Sequence, residues 1–291
     1  MTPLAPLREV PGAGSPLNRA VLTGPFREAV VLAAFPTTLY LSVGAHHEVL
    51  PVVASDALTL PTAARLAVRG RDLAWGVGPG DRVTVGRSGI RLPDWRVRLV
   101  REWRPARVRM VPRLAEPQLL GKLADILSRH VSTAELTDQA SAVCRAARAG
   151  DDAEVRRGAH RLLGAGQGLT PGGDDVLCTV LLVLCGVGDP APVALLGGVV
   201  QDRWTSTTSL SASLLDAARR GYAVPSVVAL VGRSLRGDLA GIREAIASTL
   251  AIGHSSGADL LAGLTGSLRV LAESAQPSLL PRRGSIESEN P

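Results

Sequence analysis

The sequence predicts an α+β protein, with a small β-rich N-terminal domain, barrel- or sandwich-like, followed by an all-helical C-terminal domain. Three observations carry this reading. Short β-branched and apolar runs broken by turn residues fill residues 19–112. Beyond Pro112, apolar residues recur at three- and four-residue spacing, the period of one helix face. One run, Val176 to Leu184, is apolar on every side, as expected of a central helix surrounded by others.

Residues 1–18 hold Pro3, Pro6, Pro11, Gly12, Gly14 and Pro16 and read as a flexible tail. In the β-rich domain, residues 19–112, strands are expected at Val30–Leu32, Thr38–Val43, Val49–Val53 and Arg82–Val85. Gly78-Pro79-Gly80-Asp81 and Ser88-Gly89 are turn signals between them. Trp95, Val97 and Leu99 alternate with Arg96 and Arg98, the pattern of a half-buried strand, and Arg107 and Arg109 flank Val108 in a second alternation. The helical domain, residues 113–275, opens with the stripe Leu119, Leu123, Ile126, Leu127 and Val131. A helix from about Thr133 to Ala149 follows, then one capped by Asp152 and ending near Leu163. After the central helix come Pro192–Val200, Leu210–Arg220, Pro225–Leu235, Leu239–Leu250 and Ser256–Leu271. Residues 276–291, rich in Pro and Ser, read as a disordered tail.

Composition bounds the function. Of 291 residues, 46% are hydrophobic and 20% charged, a globular balance; with 3% aromatics, the core must be built from Leu, Val and Ala. The net charge of +6 comes from arginine, Lys122 being the sole lysine. Basic residues without interleaved aromatics argue against a nucleic-acid partner. Cys144, Cys178 and Cys185 form no C-x-x-C pair, which suits a reduced intracellular protein. The start lacks the basic and apolar regions of a signal peptide. The apolar run Val176–Val187, interrupted by Thr179, falls short of the ~20 residues needed to span a bilayer. A soluble, cytoplasmic protein with no membrane partner is expected.

Three motifs stand out, all in the helical half. The stretch Gly164–Leu184 begins with a glycine loop, including Gly166, Gly168, Thr170, Pro171, Gly172 and Gly173, then Asp174 and Asp175 at the helix entrance. Glycines let backbone approach a ligand, and a helix N-terminus offers free N–H groups to a small anion. The two aspartates could hold Mg²⁺ against that anion or orient an amine or amide. A flexible connection with Asp174 as helix cap is the plain alternative. The spacing fits neither a P-loop, for no Lys-Ser or Lys-Thr follows, nor the dinucleotide fingerprint, since Leu169 stands where the third glycine belongs.

The second motif is Thr205-Ser206-Thr207-Thr208-Ser209-Leu210-Ser211, more hydroxyls than one cap requires. Ser206 and Thr207 are candidates to bind a phosphate or carboxylate; helix capping is the alternative. The third is Gly253-His254-Ser255-Ser256-Gly257-Ala258-Asp259. There His254 is a candidate proton or hydrogen-bond donor, and Ser256 and Asp259 are candidate substrate contacts. A serine cap with Asp259 favouring the helix dipole is the alternative. The three motifs could converge on one pocket. His46-His47-Glu48 has no metal-ligand partner at suitable spacing and is expected to face solvent. His130 and His160 read as ordinary helix histidines, and Cys178 as inert.

The pattern Gly164-x-Gly166-x-Gly168-Leu169-Thr170-Pro171-x-Gly173-Asp174-Asp175, with an apolar helix after it, resembles the signature of a bacterial family. That family is typified by the AllH subunit of oxamate carbamoyltransferase. The Thr/Ser run and Gly253-His254-x-Ser256-Gly257-x-Asp259-Leu260-Leu261-x-Gly263 resemble its downstream blocks. The resemblance implies carbamoyl transfer between oxamate and phosphate in purine-nitrogen (allantoin) catabolism, together with other subunits. A carbamoyl phosphate would then sit with its phosphate on backbone N–H groups around Gly166–Gly173 and its NH₂ on Asp174 or Asp175, with His254 and Ser256 stabilising developing charge. The competing reading is a non-catalytic or regulatory subunit that binds a small anion and docks another chain through Arg96, Arg98, Arg107 and Arg109.

Overall fold

A computed structural model describes residues 8–273. The N-terminal part is a closed eight-stranded barrel. Its strands are β1 (Arg8–Gly14), β2 (Arg27–Phe35), β3 (Thr38–Ser42), β4 (Val49–Val53), β5 (Ala64–Leu66), β6 (Arg82–Gly86), β7 (Gly89–Arg91) and β8 (Trp95–Glu102). Around the barrel they run β1-β5-β4-β3-β2-β6-β7-β8. A short helix, α1 (Arg19–Thr23), joins β1 to β2.

The segment expected to be a flexible tail is instead, from Arg8 onward, the strand that closes the barrel. β1 pairs in parallel with β8, from Arg8 opposite Trp95 to Gly14 opposite Glu102, and antiparallel with β5. The glycines that read as looseness serve close packing. A Cβ on Gly12 would lie 3.0 Å from the Arg65 carbonyl, and one on Gly14 would lie 2.8 Å from the Leu22 side chain. Pro11 sits beside the register shift at Gly12/Ala13, where a missing N–H is tolerated. Residues 1–7, and the expected tail at 276–291, lie outside the described residues.

Alternation explains β8, whose Trp95 and Val97 are buried between exposed Arg96 and Arg98. By contrast every residue of β4 is buried, because one face fills the barrel and the other meets the helices. The two-residue hairpin between β6 and β7 places Arg87 and Ser88 at positive φ, the type I′ geometry that matches strand twist.

The helical part contains α2 (Pro117–Leu127), α3 (Ala134–Ala149), α4 (Asp152–Leu162), α5 (Gly172–Val187), α6 (Pro190–Gln201), α7 (Ser209–Arg219), α8 (Pro225–Arg236), α9 (Ile242–Leu250) and α10 (Ser256–Glu273). Thr133, Asp151, Asp189 and Thr208 cap α3, α4, α6 and α7 through their side chains. As its all-round apolarity requires, α5 is central and touches α3, α4, α6, α7, α8 and α10. Leu177, Leu181, Leu182 and Leu184 are fully buried, each worth roughly 1.5–3 kcal/mol of burial. Among the described residues, no helix is long and apolar enough to cross a membrane.

One apolar cluster fills the barrel; a second fills the helical part and recruits Val53, Leu60 and Ala63 from the barrel side. The connecting segment is extended. The Trp103 indole donates to Ala63 O at 2.9 Å, Val108 N to Gly221 O at 2.8 Å, and Val111 N to Gly186 O at 2.8 Å. The alternation around Val108 makes a single bridge, Arg107 to Tyr222, with Val108 itself buried.

Candidate functional site

The three polar motifs meet at the N-terminal end of α5. Asp174 and Asp175 occupy its first turn, and both are buried. Being adjacent on a helix, they point in different directions and have different surroundings.

Asp174 fastens the loop. One carboxylate oxygen accepts from Gly164 N at 2.8 Å, and the other accepts from the Thr207 hydroxyl. Burial raises its pKa, while the Thr207 hydroxyl and Gly164 N–H oppose that rise. Gly164 has φ +75°, and a Cβ there would meet the Ser206 carbonyl at 2.2 Å, so glycine loop and Thr/Ser run touch backbone to backbone. A Cβ on Gly173 would fall 2.0 Å from Leu162 O, because α5 begins directly against the end of α4.

The helix N-terminus itself is largely occupied. Gly173 N donates to Ala165 O, and Asp174 N and Asp175 N donate to Pro171 O. Gly166 lies over Gly172 N, with a hypothetical Cβ only 2.7 Å away. Asp259 is buried against Gly172 and accepts a hydrogen bond from the Ser132 hydroxyl. The exposed tip, Gly166 to Leu169, is the accessible part of this loop.

Asp175 faces a cavity of about 350 Å³ between barrel and helices. Its walls include Thr37, Thr38 and Tyr40 from the barrel and Leu182, Leu214 and Val224 from the helices. Thr170 and Ser256, whose hydroxyls are 3.0 Å apart, stand beside Asp175. One Asp175 oxygen, Oδ2, is buried with no hydrogen-bond partner. Burial pushes this carboxyl well above the usual range, opposed by the Ser256 hydroxyl and reinforced by the neighbouring Asp259 and Asp174 charges. Among the described residues, no Lys, Arg or His lines the cavity.

Other expected site residues lie elsewhere. Ser206 is exposed and contributes its backbone, not its hydroxyl, to the loop contact. Thr207 is spent on Asp174, and Thr208 both caps α7 and donates to Leu169 O at 2.6 Å. His254 is exposed on the turn before α10 and is outside the cavity lining, although Gly253 and Ser256 belong to it. Asp175 alone of the trio Asp175, Ser206 and Asp259 lines the cavity.

The pair Asp174–Asp175 fits Mg²⁺ poorly. Both Asp174 oxygens are engaged, and Asp175 opens onto mostly apolar walls, whereas Mg²⁺ takes oxygen ligands and retains several waters. Among the described residues, no three His, Cys, Asp or Glu side chains come together as a metal site. Cys178 borders the cavity, but burial pushes its thiol well up, and burial takes Cys144 to about 11, so neither offers a ready thiolate.

Sequence reasoning missed the barrel's share of the site. His46 and His47, expected to face solvent, contact the helical half. His46 Nε2 is 2.9 Å from Thr207 O, Ser209 Oγ is 3.3 Å from His46 Nδ1, and the His47 ring lies 3.8 Å from Trp204. His46 remains exposed while making these bonds. The only available signal was a polar triplet in a hairpin loop, which carries no information about a partner so far along the chain.

The arginines divide. Arg96 and Arg98 pair with Glu9 on the barrel exterior, at 3.8 and 2.5 Å. Arg107 and Arg109, with Arg104, Arg219 and Arg220, border a separate open groove of about 1220 Å³.

Fold and site together define a barrel-plus-helix protein whose candidate ligand cavity lies at their junction, with a buried acid at the start of the central helix. Residues 162–268 match the family model of the oxamate carbamoyltransferase subunit AllH. The matched segment runs from the end of α4 into α10 and contains all three loops, while the barrel lies outside it. No curated protein and no solved structure matches the chain at a significant level.

Proposed function

We propose that this chain is a subunit of a carbamoyltransferase of the oxamate carbamoyltransferase type, acting in purine-nitrogen catabolism, and that its cavity receives the amide end of a small substrate such as oxamate or carbamoyl phosphate. The observation that carries the reading is the buried, unpartnered Asp175 Oδ2 beside the Thr170 and Ser256 hydroxyls. An unsatisfied buried acceptor costs about 1–3 kcal/mol, and a substrate N–H removes that cost. With the Ser256 hydroxyl turned to Asp175, the Thr170 hydroxyl is the one that can turn from Ser256 and donate to the carbonyl of the same amide, in the manner of an oxyanion site. With no Lys, Arg or His in the lining among the described residues, the anionic end of the substrate lies outward, past Leu169 toward the exposed tip of the glycine loop. Asp174, Thr207, Gly172, Gly173 and Asp259 are positioning residues that hold the loop in shape.

A second reading, a binding subunit whose chemistry is completed by other chains, is favoured by the cavity's composition. Among the described residues, its lining holds no His, Lys, Glu or second Asp beside Asp175, and the match is to a family described as a subunit. Calorimetric titration of the purified chain with oxamate and with carbamoyl phosphate tests both. Binding that weakens at least tenfold in Asp175→Leu is expected. Equal affinity in the variant refutes the site, and binding without turnover selects the second reading.

A further inference from the structure

We infer that, besides a small substrate held at its polar corner, this cavity accepts a larger ligand of two unlike parts: an N–H-bearing head that bonds Asp175 and an apolar body that lies between barrel and helices. The inference rests on the reading that the Asp175 cavity is a ligand site. It goes further by naming what the rest of that cavity is built to hold.

Three features of the walls support it. First, outside the polar corner of Asp175, Thr170 and Ser256, the lining is mostly apolar side chains, including Leu60, Leu182, Leu210, Leu214, Val224 and Val227, with the hydroxyl-bearing Thr37, Thr38, Tyr40 and Tyr222 among them. Second, Phe35, Leu58 and Leu169 are exposed large hydrophobics, and all three belong to this cavity; apolar surface left at its edge favours an apolar occupant. Third, a volume of about 350 Å³ falls in the range of ordinary small-molecule sites, and corresponds to roughly a dozen waters at ~30 Å³ each. A molecule as small as oxamate engages the polar corner and leaves most of the apolar wall uncovered.

The charge pattern points the same way. Among the described residues, Asp175 is the only Asp, Glu, Lys, Arg or His in the lining; it is 6% exposed, with one oxygen unpartnered. A carboxylate or phosphate placed against it meets no compensating cation, whereas an amide, ureide or amine supplies the missing donor. The class of this larger ligand is therefore a carboxamide, ureide or amine carrying an apolar chain or ring.

The test is a homologous series of primary amides, acetamide, butanamide and hexanamide, titrated against the full chain alongside hexanoate and oxamate. Each methylene buried should tighten binding about fourfold until the cavity is full. Hexanamide should bind at least tenfold more tightly than hexanoate of the same length. Asp175→Leu should weaken hexanamide at least tenfold. The amide-against-acid comparison is made on the unmodified chain, so it stands even if that variant fails to fold. Oxamate binding that depends on Asp175, with affinity flat across the amides, overturns the apolar-body inference and keeps the site. No binding of oxamate or of any amide overturns both.

Discussion

Asp174 and Asp175 are adjacent, but their replacement should have opposite consequences. In Asp174→Ala, two hydrogen bonds disappear, those from Gly164 N and from the Thr207 hydroxyl. Hydrogen bonds to a carboxylate contribute about 1.5–3 kcal/mol each, giving roughly 3–6 kcal/mol gross. Two effects reduce this. The carboxyl no longer has to be buried, which its raised pKa identifies as a cost. Gly164 and Thr207 are also only half-buried, so water can reach the groups left behind. A net loss of about 2–4 kcal/mol remains. Asp174→Asn should lose much less, because a carboxamide oxygen can still accept from Gly164 N while its NH₂ donates to the Thr207 oxygen. Urea unfolding, with the midpoint and slope fitted together, measures both variants. If Asp174→Ala shifts stability by less than about 0.5 kcal/mol, the size expected of an ordinary surface substitution, the carboxylate does not hold the two loops together.

Asp175 gives a pH dependence of defined sign. The unfolded chain releases this proton near the ordinary carboxyl value, ~3.9, whereas burial keeps it bound in the native state to a higher pH. Stability therefore falls as pH rises from about 4 through the raised folded pKa, then levels off; the stabilising advantage of Asp175→Asn over the parent should grow across that interval, and melting temperatures equal in their pH profiles would contradict it. Gly173→Ala should destabilise by about 1–3 kcal/mol or more, since its Cβ meets the Leu162 backbone, whereas Gly198→Ala, in an open position on α6, should stabilise by about 0.5–1 kcal/mol; thermal unfolding of the pair separates close packing from helix propensity.

Where sequence was informative, a period or a cap marked the element. The leucine stripe of α2 and the all-round apolarity of α5 each translate one physical requirement into one pattern, and the acid expected to cap α4 at Asp152 is found one residue earlier, at Asp151. β5 and β7, three residues each, are too short to show a period. β1 was hidden because Pro11, Gly12 and Gly14 are signals of both a loose chain and a tightly approached one, and only the neighbours decide between them. The meeting of the three loops was legible as a shared grammar of small residues, hydroxyls and acids. The division of labour within it was not. Thr207 and Ser206 look alike in sequence, yet one bonds a buried carboxylate and the other presents its hydroxyl to solvent. The apolar cavity was invisible because its walls are assembled from residues as distant as Thr38 and Leu260, each unremarkable in its own segment.

The separate apolar filling of the barrel has a consequence for how the protein is made. Strands β1 to β8 all precede residue 103, so a ribosome delivers every barrel strand before the first turn of α2 emerges. The barrel's own cluster draws on no helix after α1, and it can close while synthesis continues. The helical cluster has no such independence, since Val53, Leu60 and Ala63 are part of it. Dependence thus runs in one direction along the chain. The newly closed barrel serves as a template, and until the helices arrive it holds out the apolar patch on which they will assemble.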